Sequence, residues 1–370
     1  MSEETIYQRL ENNGVSRRDF LKLCGTLAGA MGLAVPPLEA SGLPDHLLTE
    51  NKTIHKIARA LETKARVPVI WLEFQDCAGC SEALTRSQSP TLIDLVLNTI
   101  SVEYHETLTA AAGHQTEENK QNIMQQYAGQ YVLVVEGSIP MALGGAYCTI
   151  GGRSAIEILE EAAAGAAAII STGNCAAFGG LPKADPNPTD AKGVWELITD
   201  KPVVNIPGCP AIPEVFTGTL AHFVIFGALP ELDDLNRPVT FYGKTIHDRC
   251  LRRPFYEAGK FANSFDDEGA KQGWCLYKLG CKGPTTYNAC ASIKWDAGLS
   301  FPVQSGHPCL GCSEPDFWDG GGFYQGQSAP LNRPAATVVG AAVGAGAVVG
   351  AAMAANNAAQ KKRAVQASEE

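Results

Sequence analysis

The chain has 370 residues, of which 45% are hydrophobic, and it contains 38 glycines and 22 prolines. This length exceeds what one compact domain usually holds, so two domains with additional terminal segments are expected. The formal net charge of −10, without a basic stripe, argues against a nucleic-acid partner. Twelve cysteines are many for a soluble enzyme, and either disulfides or metal ligation must account for them.

Residues 1–40 are predicted to be a twin-arginine export signal, an address rather than a part of the fold. The motif is Ser16-Arg17-Arg18-Asp19-Phe20-Leu21-Lys22, and a mildly apolar run follows at residues 23–35. The alternative is a charged cap on an ordinary helix. Cleavage near Ala40 would remove Cys24 and leave residues 41–66 as the start of the mature chain. Because this route carries folded proteins, cysteines can bind iron before export, which favours metal over disulfides.

Residues 67–231 alternate short apolar runs with helical stretches, which predicts an α/β domain with a doubly wound parallel sheet. Buried strands are predicted at residues 69–72, 131–135, 167–170 and 203–206. Helices are predicted at residues 117–126 and 155–164. Ligands of such sheets bind beyond the carboxyl ends of the strands.

Three of the predicted strands lead into loops that carry cysteines. The four residues are Cys77, Cys80, Cys175 and Cys209. Strand ends of a parallel sheet meet at one edge, so these thiols are expected to converge and to bind an iron–sulfur cluster. The Cys-x2-Cys pair alone could instead be a redox-active disulfide.

Residues 232–315 lose regular periodicity and form a predicted iron–sulfur domain, in which clusters replace part of the hydrophobic core. A second group comprises His247, Cys250, Cys275 and Cys281. An imidazole can replace one thiolate of a cluster, although a zinc site with the same ligands is the alternative.

A third group comprises Cys290, Cys309 and Cys312, without an obvious fourth ligand. Three thiolates suit a three-iron cluster, and Pro302 within this segment offers no donor. Cys148 remains, and it is predicted to be a buried structural thiol.

Residues 316–334 are rich in glycine, glutamine and serine and are predicted to be a linker. Residues 335–355 contain no charge and are long enough to span a bilayer core of about 30 Å as a helix. The basic cluster Lys361-Lys362-Arg363 predicts that residues 356–370 form a cytoplasmic tail, with the preceding domains outside. The alternative is a flexible low-complexity tail.

These features together resemble the small subunit of nickel–iron hydrogenases, in particular the membrane-bound respiratory uptake type. The resemblance runs from about Arg17 to Ser313. Its motifs are Cys77-Ala78-Gly79-Cys80-Ser81-Glu82, Gly173-x-Cys175, Pro207-Gly208-Cys209-Pro210, His247-x2-Cys250, Trp274-Cys275, Gly280-Cys281-Lys282-Gly283-Pro284 and Gly306-His307-Pro308-Cys309-x2-Cys312.

The resemblance implies a flavodoxin-like first domain and three clusters. A proximal [4Fe–4S] cluster would bind to Cys77, Cys80, Cys175 and Cys209. A distal [4Fe–4S] cluster would bind to His247, Cys250, Cys275 and Cys281, and a medial [3Fe–4S] cluster to Cys290, Cys309 and Cys312, with Pro302 in place of a fourth ligand. Oxygen-tolerant relatives carry two more cysteines, at positions that correspond to Gly79 and Gly180, so an oxygen-sensitive enzyme is expected.

The resemblance also implies that this chain has no catalytic residue and that the nickel–iron centre belongs to a separate large subunit. Electrons from hydrogen would pass to a membrane acceptor, the quinone pool, through a membrane cytochrome b or another quinone-linked subunit. The location would be the periplasmic side of the inner membrane, with a single C-terminal anchor. The alternatives are an iron–sulfur subunit of another exported or membrane oxidoreductase, and a structural protein stapled by zinc or disulfides.

Overall fold

The computed structural model describes residues 4–33, 51–88, 90–296, 298–319 and 323–325. Its centre is a five-stranded parallel sheet that consists of β1 (Val67–Glu73), β2 (Ile100–His105), β3 (Val132–Glu136), β4 (Ala168–Thr172) and β5 (Val203–Ile206). The strands lie in the order β2-β1-β3-β4-β5. This is the order of flavodoxin-like doubly wound folds, and the predicted α/β class is confirmed.

The central strands form because their apolar runs are buried on both faces. Val69 and Trp71 pack in the hydrophobic cluster on one side of the sheet, and Ile70 and Leu72 pack in the cluster on the other side. The four predicted strands are confirmed within two residues. Strand β2 was not predicted because it lies at the edge of the sheet and its residues 101–103 are only half-buried.

Among the described residues, eight helices contain six or more residues. They are α1 (Ile6–Asn12), α2 (Arg17–Ala30), α3 (Lys52–Thr63), α4 (Gly79–Thr85), α5 (His114–Gln126), α6 (Ala155–Ala164), α7 (Gly173–Phe178) and α8 (Pro213–Phe226). The predicted helix at 155–164 is confirmed in both bounds, because Ser154 and Glu157 form a capping box at its start. The other predicted helix begins three residues earlier than expected, at His114.

The remaining elements are short. Helical turns span Leu92–Asp94, Leu95–Thr99, Ala142–Gly145, Gly180–Lys183, Val194–Leu197, Val239–Tyr242, His247–Arg249, Arg253–Glu257, Glu268–Lys271, Tyr277–Leu279 and Gly283–Thr285. Two-residue strands pair Ile139–Pro140 with Ala191–Lys192 and Thr149–Ile150 with Arg153–Ser154.

Residues 232–315 pack against the carboxyl edge of the sheet through short turns rather than long elements. Asn174, in the first turn of α7, donates hydrogen bonds of 3.0 Å to the carbonyls of Cys312 and Glu314. The buried Arg237 pairs with Asp233 at 2.8 Å and with Glu314 at 3.2 Å. These contacts hold the third cysteine group next to the ends of β4 and β5.

The structure bears differently on the predictions for the two ends of the chain. Helices α1 and α2 pack into the core, so the expectation that the N-terminal residues contribute nothing to the fold is wrong; the physical reason is an apolar face that repeats at helical spacing. The predicted anchor at 335–355 and tail at 356–370 lie outside the described residues, as does most of the linker. No helix within the described part of the chain is both long and apolar enough to cross a bilayer.

Candidate metal centres

The first group of cysteines converges at the carboxyl edge of the sheet. Cys77 and Cys80 follow β1, Cys175 lies in α7 after β4, and Cys209 follows β5. The four thiols lie near enough to influence one another electrostatically. Cys80 and Cys77 each interact with both Cys175 and Cys209. Burial raises the pKa of Cys175 to about 12. A bound cation would lower this pKa and so stabilise the thiolate, which offsets the effect of burial.

A strained turn places the first two sulfurs on one side of the chain. Ala78, between Cys77 and the start of α4, has φ +55, a left-handed conformation that a residue with a Cβ rarely adopts. Such strain is typical of functional sites. Cys77 and Cys209 are exposed, so this group opens to the protein surface.

Glu136, at the end of β3, stabilises this turn through hydrogen bonds. Its carboxylate accepts hydrogen bonds from the backbone N–H groups of Cys80 at 2.8 Å and Ser81 at 3.0 Å, and from the Ser81 hydroxyl at 2.6 Å. Sequence reasoning missed Glu136, because nothing in the local pattern around a buried strand indicates what lies across the sheet. Burial raises the pKa of Glu136 above its usual range.

His105, at the end of β2, completes a buried hydrogen-bonded chain. The Thr107 N–H donates to His105 Nδ1 at 3.3 Å, and His105 Nε2 lies 3.1 Å from the Ser81 hydroxyl. Because that hydroxyl donates to Glu136, the tautomer that fits carries its proton on Nε2. Burial lowers the pKa of His105 to about 4, so the ring is neutral at pH 7.

Glu73 makes the fold sensitive to pH. Burial, followed by the charges of Asp76 and Glu136, raises the pKa of Glu73 to about 7 from its ordinary 4.5. Its stabilising contribution is therefore complete below about pH 4.5 and is lost as the pH rises through 7. We expect Glu73→Gln to raise the melting temperature relative to the unaltered chain by about 2–5 °C more at pH 8 than at pH 5.

The measurement is differential scanning calorimetry at both pH values. Glu118→Gln, on the exposed face of α5, is the matched control. An equal effect of Glu73→Gln at the two pH values would contradict the assignment.

The two carboxylates that flank the first motif behave differently. Asp76 lies in a cluster with Glu73 and Glu136, whose carboxylate oxygens are within 4.8 Å of one another. Glu82 is exposed and pairs with Arg86 at 2.7 Å. Asp76 therefore belongs to the buried network behind the first group, whereas Glu82 lies at the surface, where it lines the same cavity as Cys209.

The second group lines one common cavity. His247, Cys250, Cys275 and Cys281 all contribute to its wall, together with Arg252 and Tyr277. The Arg252 N–H donates to Cys250 Sγ at 3.4 Å. The His247 ring is half-buried and packs edge-on against Tyr256, with ring centroids 4.6 Å apart. The four predicted residues are thus brought together from loops with little regular structure.

The third group lines a second cavity. Cys290, Cys309 and Cys312 share its wall with Pro302. Burial raises the pKa of Cys290 to about 12, and the nearby Trp295 side chain partly opposes this effect. Pro302 thus lies beside three thiols, where it offers no donor.

Shared walls and one backbone hydrogen bond link neighbouring groups. Cys209, in the first group, lines the same cavity as Cys312, in the third group. The N–H of Cys309, in the third group, donates to Cys281 Sγ, in the second group, at 3.3 Å. The three groups therefore lie in series, with the third group in the middle.

The other cysteines are outside these groups. All twelve thiols are free, so no disulfide competes with metal binding. Cys148 is half-buried rather than fully buried as predicted, and it packs at the border of a hydrophobic cluster. Cys24 is fully buried in α2.

Two family models match the chain. Residues 77–223 match the NADH ubiquinone oxidoreductase, 20 Kd subunit, and residues 242–325 match the C-terminal model of the NiFe/NiFeSe hydrogenase small subunit. The hydrogenase-1 small chain of Citrobacter freundii is 49% identical over 87% of this chain and 82% of its own length. The uptake hydrogenase small subunit of Azotobacter vinelandii is 48% identical (87% and 86%), and that of Cupriavidus necator is 47% identical (92% and 93%).

Solved structures show the same similarity. The reduced, active NiFeSe hydrogenase from Desulfomicrobium baculatum matches with a TM-score of 0.67 and 36% identity, over 71% of this chain and 100% of that one. The recombinant [NiFeSe] hydrogenase from Desulfovibrio vulgaris Hildenborough matches with a TM-score of 0.66 and 37% identity, over 71% and 99%.

Proposed function

Because this chain belongs to the family of nickel–iron hydrogenase small subunits of the uptake type, we propose that it relays electrons through three iron–sulfur clusters from hydrogen oxidation to a membrane acceptor. The large subunit of the heterodimer is its partner and would hold the nickel–iron centre. The observation that carries this proposal is the serial arrangement of three sulfur-rich sites, in which the first and third share a cavity wall and the third donates an N–H to a sulfur of the second.

The donor sets fit the proposed clusters. Cys77, Cys80, Cys175 and Cys209 would hold the proximal [4Fe–4S] cluster, His247, Cys250, Cys275 and Cys281 the distal one, and Cys290, Cys309 and Cys312 the medial [3Fe–4S] cluster. Among the described residues, no three of these sulfur or ring-nitrogen atoms lie within 4.8 Å of one another. A single zinc ion would hold its sulfurs about 3.8 Å apart, given Zn–S bonds of about 2.3 Å. The described donors are therefore not arranged as a closed zinc site.

The exposure of the ligands gives the relay its direction. Cys77 and Cys209 are exposed and would face the large subunit, and Leu181, near Cys175, is 55% exposed. In the third group Cys290 is buried and Cys309 and Cys312 are half-buried, so the middle of the relay is less exposed than its start. The half-buried His247 would lie at the exit. When bound, each cluster supplies a one-electron carrier, and the surrounding N–H donors and burial set its potential.

The proposal extends to the cellular location. The motif at residues 16–22 supports export by the twin-arginine route, and the uncharged stretch at 335–355 with the basic cluster after it supports a single anchor in the inner membrane. The folded part would then lie on the periplasmic side. A membrane cytochrome b or another quinone-linked subunit would take the electrons to the quinone pool.

Iron analysis with low-temperature EPR tests the cluster content. The purified heterodimer should contain about eleven irons in this subunit, with acid-labile sulfide, and oxidised protein should show a three-iron signal. Colourless protein with bound zinc would instead support a structural role. Four-iron signals without a three-iron signal would point to another kind of electron-transfer subunit.

The structure also supports the expectation of oxygen sensitivity. A Cβ at Gly79 would lie 3.0 Å from Cys77 Sγ, and one at Gly180 would lie 2.5 Å from Cys175 Sγ, so both glycines border the proposed proximal cluster without adding ligands. We expect hydrogen oxidation by the purified enzyme to fall by at least about tenfold in air. Sustained aerobic turnover, measured as hydrogen uptake with a hydrogen electrode in air-equilibrated buffer, would contradict this expectation.

A further inference from the structure

The N-terminal helices α1 and α2 cover an apolar face of the folded chain. In α2, Phe20, Cys24 and Leu27 are fully buried. They share one hydrophobic cluster with Ile57 of α3 and Leu220 of α8. The residues of α2 that are buried recur at helical spacing, which is the pattern of a helix packed on one side.

Helices α1 and α2 form a hairpin, and polar contacts hold this hairpin against the rest of the chain. The Ile6 N–H donates to the Lys64 carbonyl at 2.8 Å, which joins the start of α1 to the end of α3. Arg17 forms an ion pair with Glu62 of α3. The Arg17 guanidinium also lies over the rings of Tyr7 and Phe20, 5.1 Å from each centroid. One of the two arginines of the export motif is therefore engaged within the chain.

Two glycines allow close approach of the hairpin. A Cβ at Gly218, in the middle of α8, would lie 2.0 Å from the carbonyl oxygen of Ala30, so the end of α2 could not remain where it is. A Cβ at Gly32 would lie 2.3 Å from the Thr240 side chain. Glycine inside a helix normally reduces stability relative to alanine. The close contact with α2 explains why glycine is nevertheless present at position 218.

We propose that residues 5–33 form a docked hairpin that buries the apolar part of the export signal, from Phe20 onward, against its own protein, and that export requires this hairpin to open. Phe20 is fully buried and Leu21 is 8% exposed, so the docked form cannot present these motif side chains to an export receptor. The occupant of the apolar face is thus the chain's own N-terminal segment. This proposal rests on the proposed role of residues 1–40 as an export signal.

Alkylation of Cys24 in the full-length heterodimer measures how often the hairpin opens, because this thiol is buried when the hairpin is docked. Peptide mapping by mass spectrometry follows this thiol separately from the other eleven. Gly218→Ala should increase the rate of Cys24 alkylation by about tenfold or more, because it displaces Ala30. Gly29→Ala is the matched control, because a Cβ there meets no atom within 4 Å. Glu62→Gln is a second variant, which weakens the docking without touching the core and should act in the same direction.

Export of the same variants, followed as the fraction outside the cytoplasm over time, tests the consequence. Faster export of Gly218→Ala and Glu62→Gln than of Gly29→Ala supports the proposal. Rapid alkylation of Cys24 in the unaltered chain, or equal rates in all variants, overturns the docking. Faster alkylation with unchanged export overturns the control of export by docking. If Cys24 is protected but no form of the chain is exported, the assignment of the signal fails while the docking stands.

Discussion

Cys312→Ala is expected to interrupt the relay in its middle. The variant should lose the three-iron EPR signal and reduce hydrogen-dependent reduction of the membrane acceptor by about a hundredfold or more. The reason is geometric, because Cys312 shares a cavity with Cys290 and Cys309, and Cys209 of the neighbouring group lines the same cavity. Without the medial carrier, electrons would have to cross the whole distance between the outer groups.

Cys148→Ala is the matched control for this experiment. It also removes one half-buried thiol, but Cys148 lies outside the three groups. The control should keep the EPR signals and the rate. If Cys312→Ala retained the three-iron signal at full intensity, the proposed medial ligands would be wrong, whatever the activity.

His247→Ala is expected to separate hydrogen splitting from electron exit. Hydrogen–deuterium exchange occurs at the partner's metals, so it should continue, whereas reduction of the membrane acceptor should fall by at least about tenfold. The half-buried imidazole lines one cavity together with Cys250, Cys275 and Cys281. Loss of this ligand would alter the carrier nearest the exit, and a neutral ligand at this position raises the cluster potential relative to a fourth thiolate.

His222→Ala controls for the loss of an imidazole elsewhere. His222 bonds to the Ala228 carbonyl and contacts Phe226, on a helix that carries no proposed ligand. Both rates should be unchanged in this control. Loss of isotope exchange together with acceptor reduction in His247→Ala would show that His247 mainly holds the fold.

The sequence predicted the central sheet and the position of the first donor group for a common reason. The buried strands are short and mainly apolar, with Asn205 the polar exception at residues 203–206, and their ends locate Cys175 and Cys209 at one edge without knowledge of the loops. Strand β2 escaped prediction because an edge strand keeps polar residues such as Glu103. The predicted positions of these ligands thus depended on central strands, whose apolar pattern is easy to recognise in the sequence.

The supporting network around the first cysteine group could not be predicted from the sequence. Glu136 and His105 end different strands, and Ser81 joins them only after the sheet has formed. The packing of the N-terminal hairpin was missed for a different reason. A mildly apolar run after paired arginines is typical of an export signal, and the same residues also supply one apolar face of a docked helix.

The hydrogen bond from the Cys309 amide to Cys281 Sγ, and the cavity wall that Cys209 shares with Cys312, tie neighbouring donor groups to each other through the main chain. The gaps between carriers therefore depend on main-chain geometry. Amino-acid changes around the clusters can then retune the driving force of each hop while its length stays fixed. Evolution of this subunit is therefore free to adapt to acceptors of different potential without rebuilding the path.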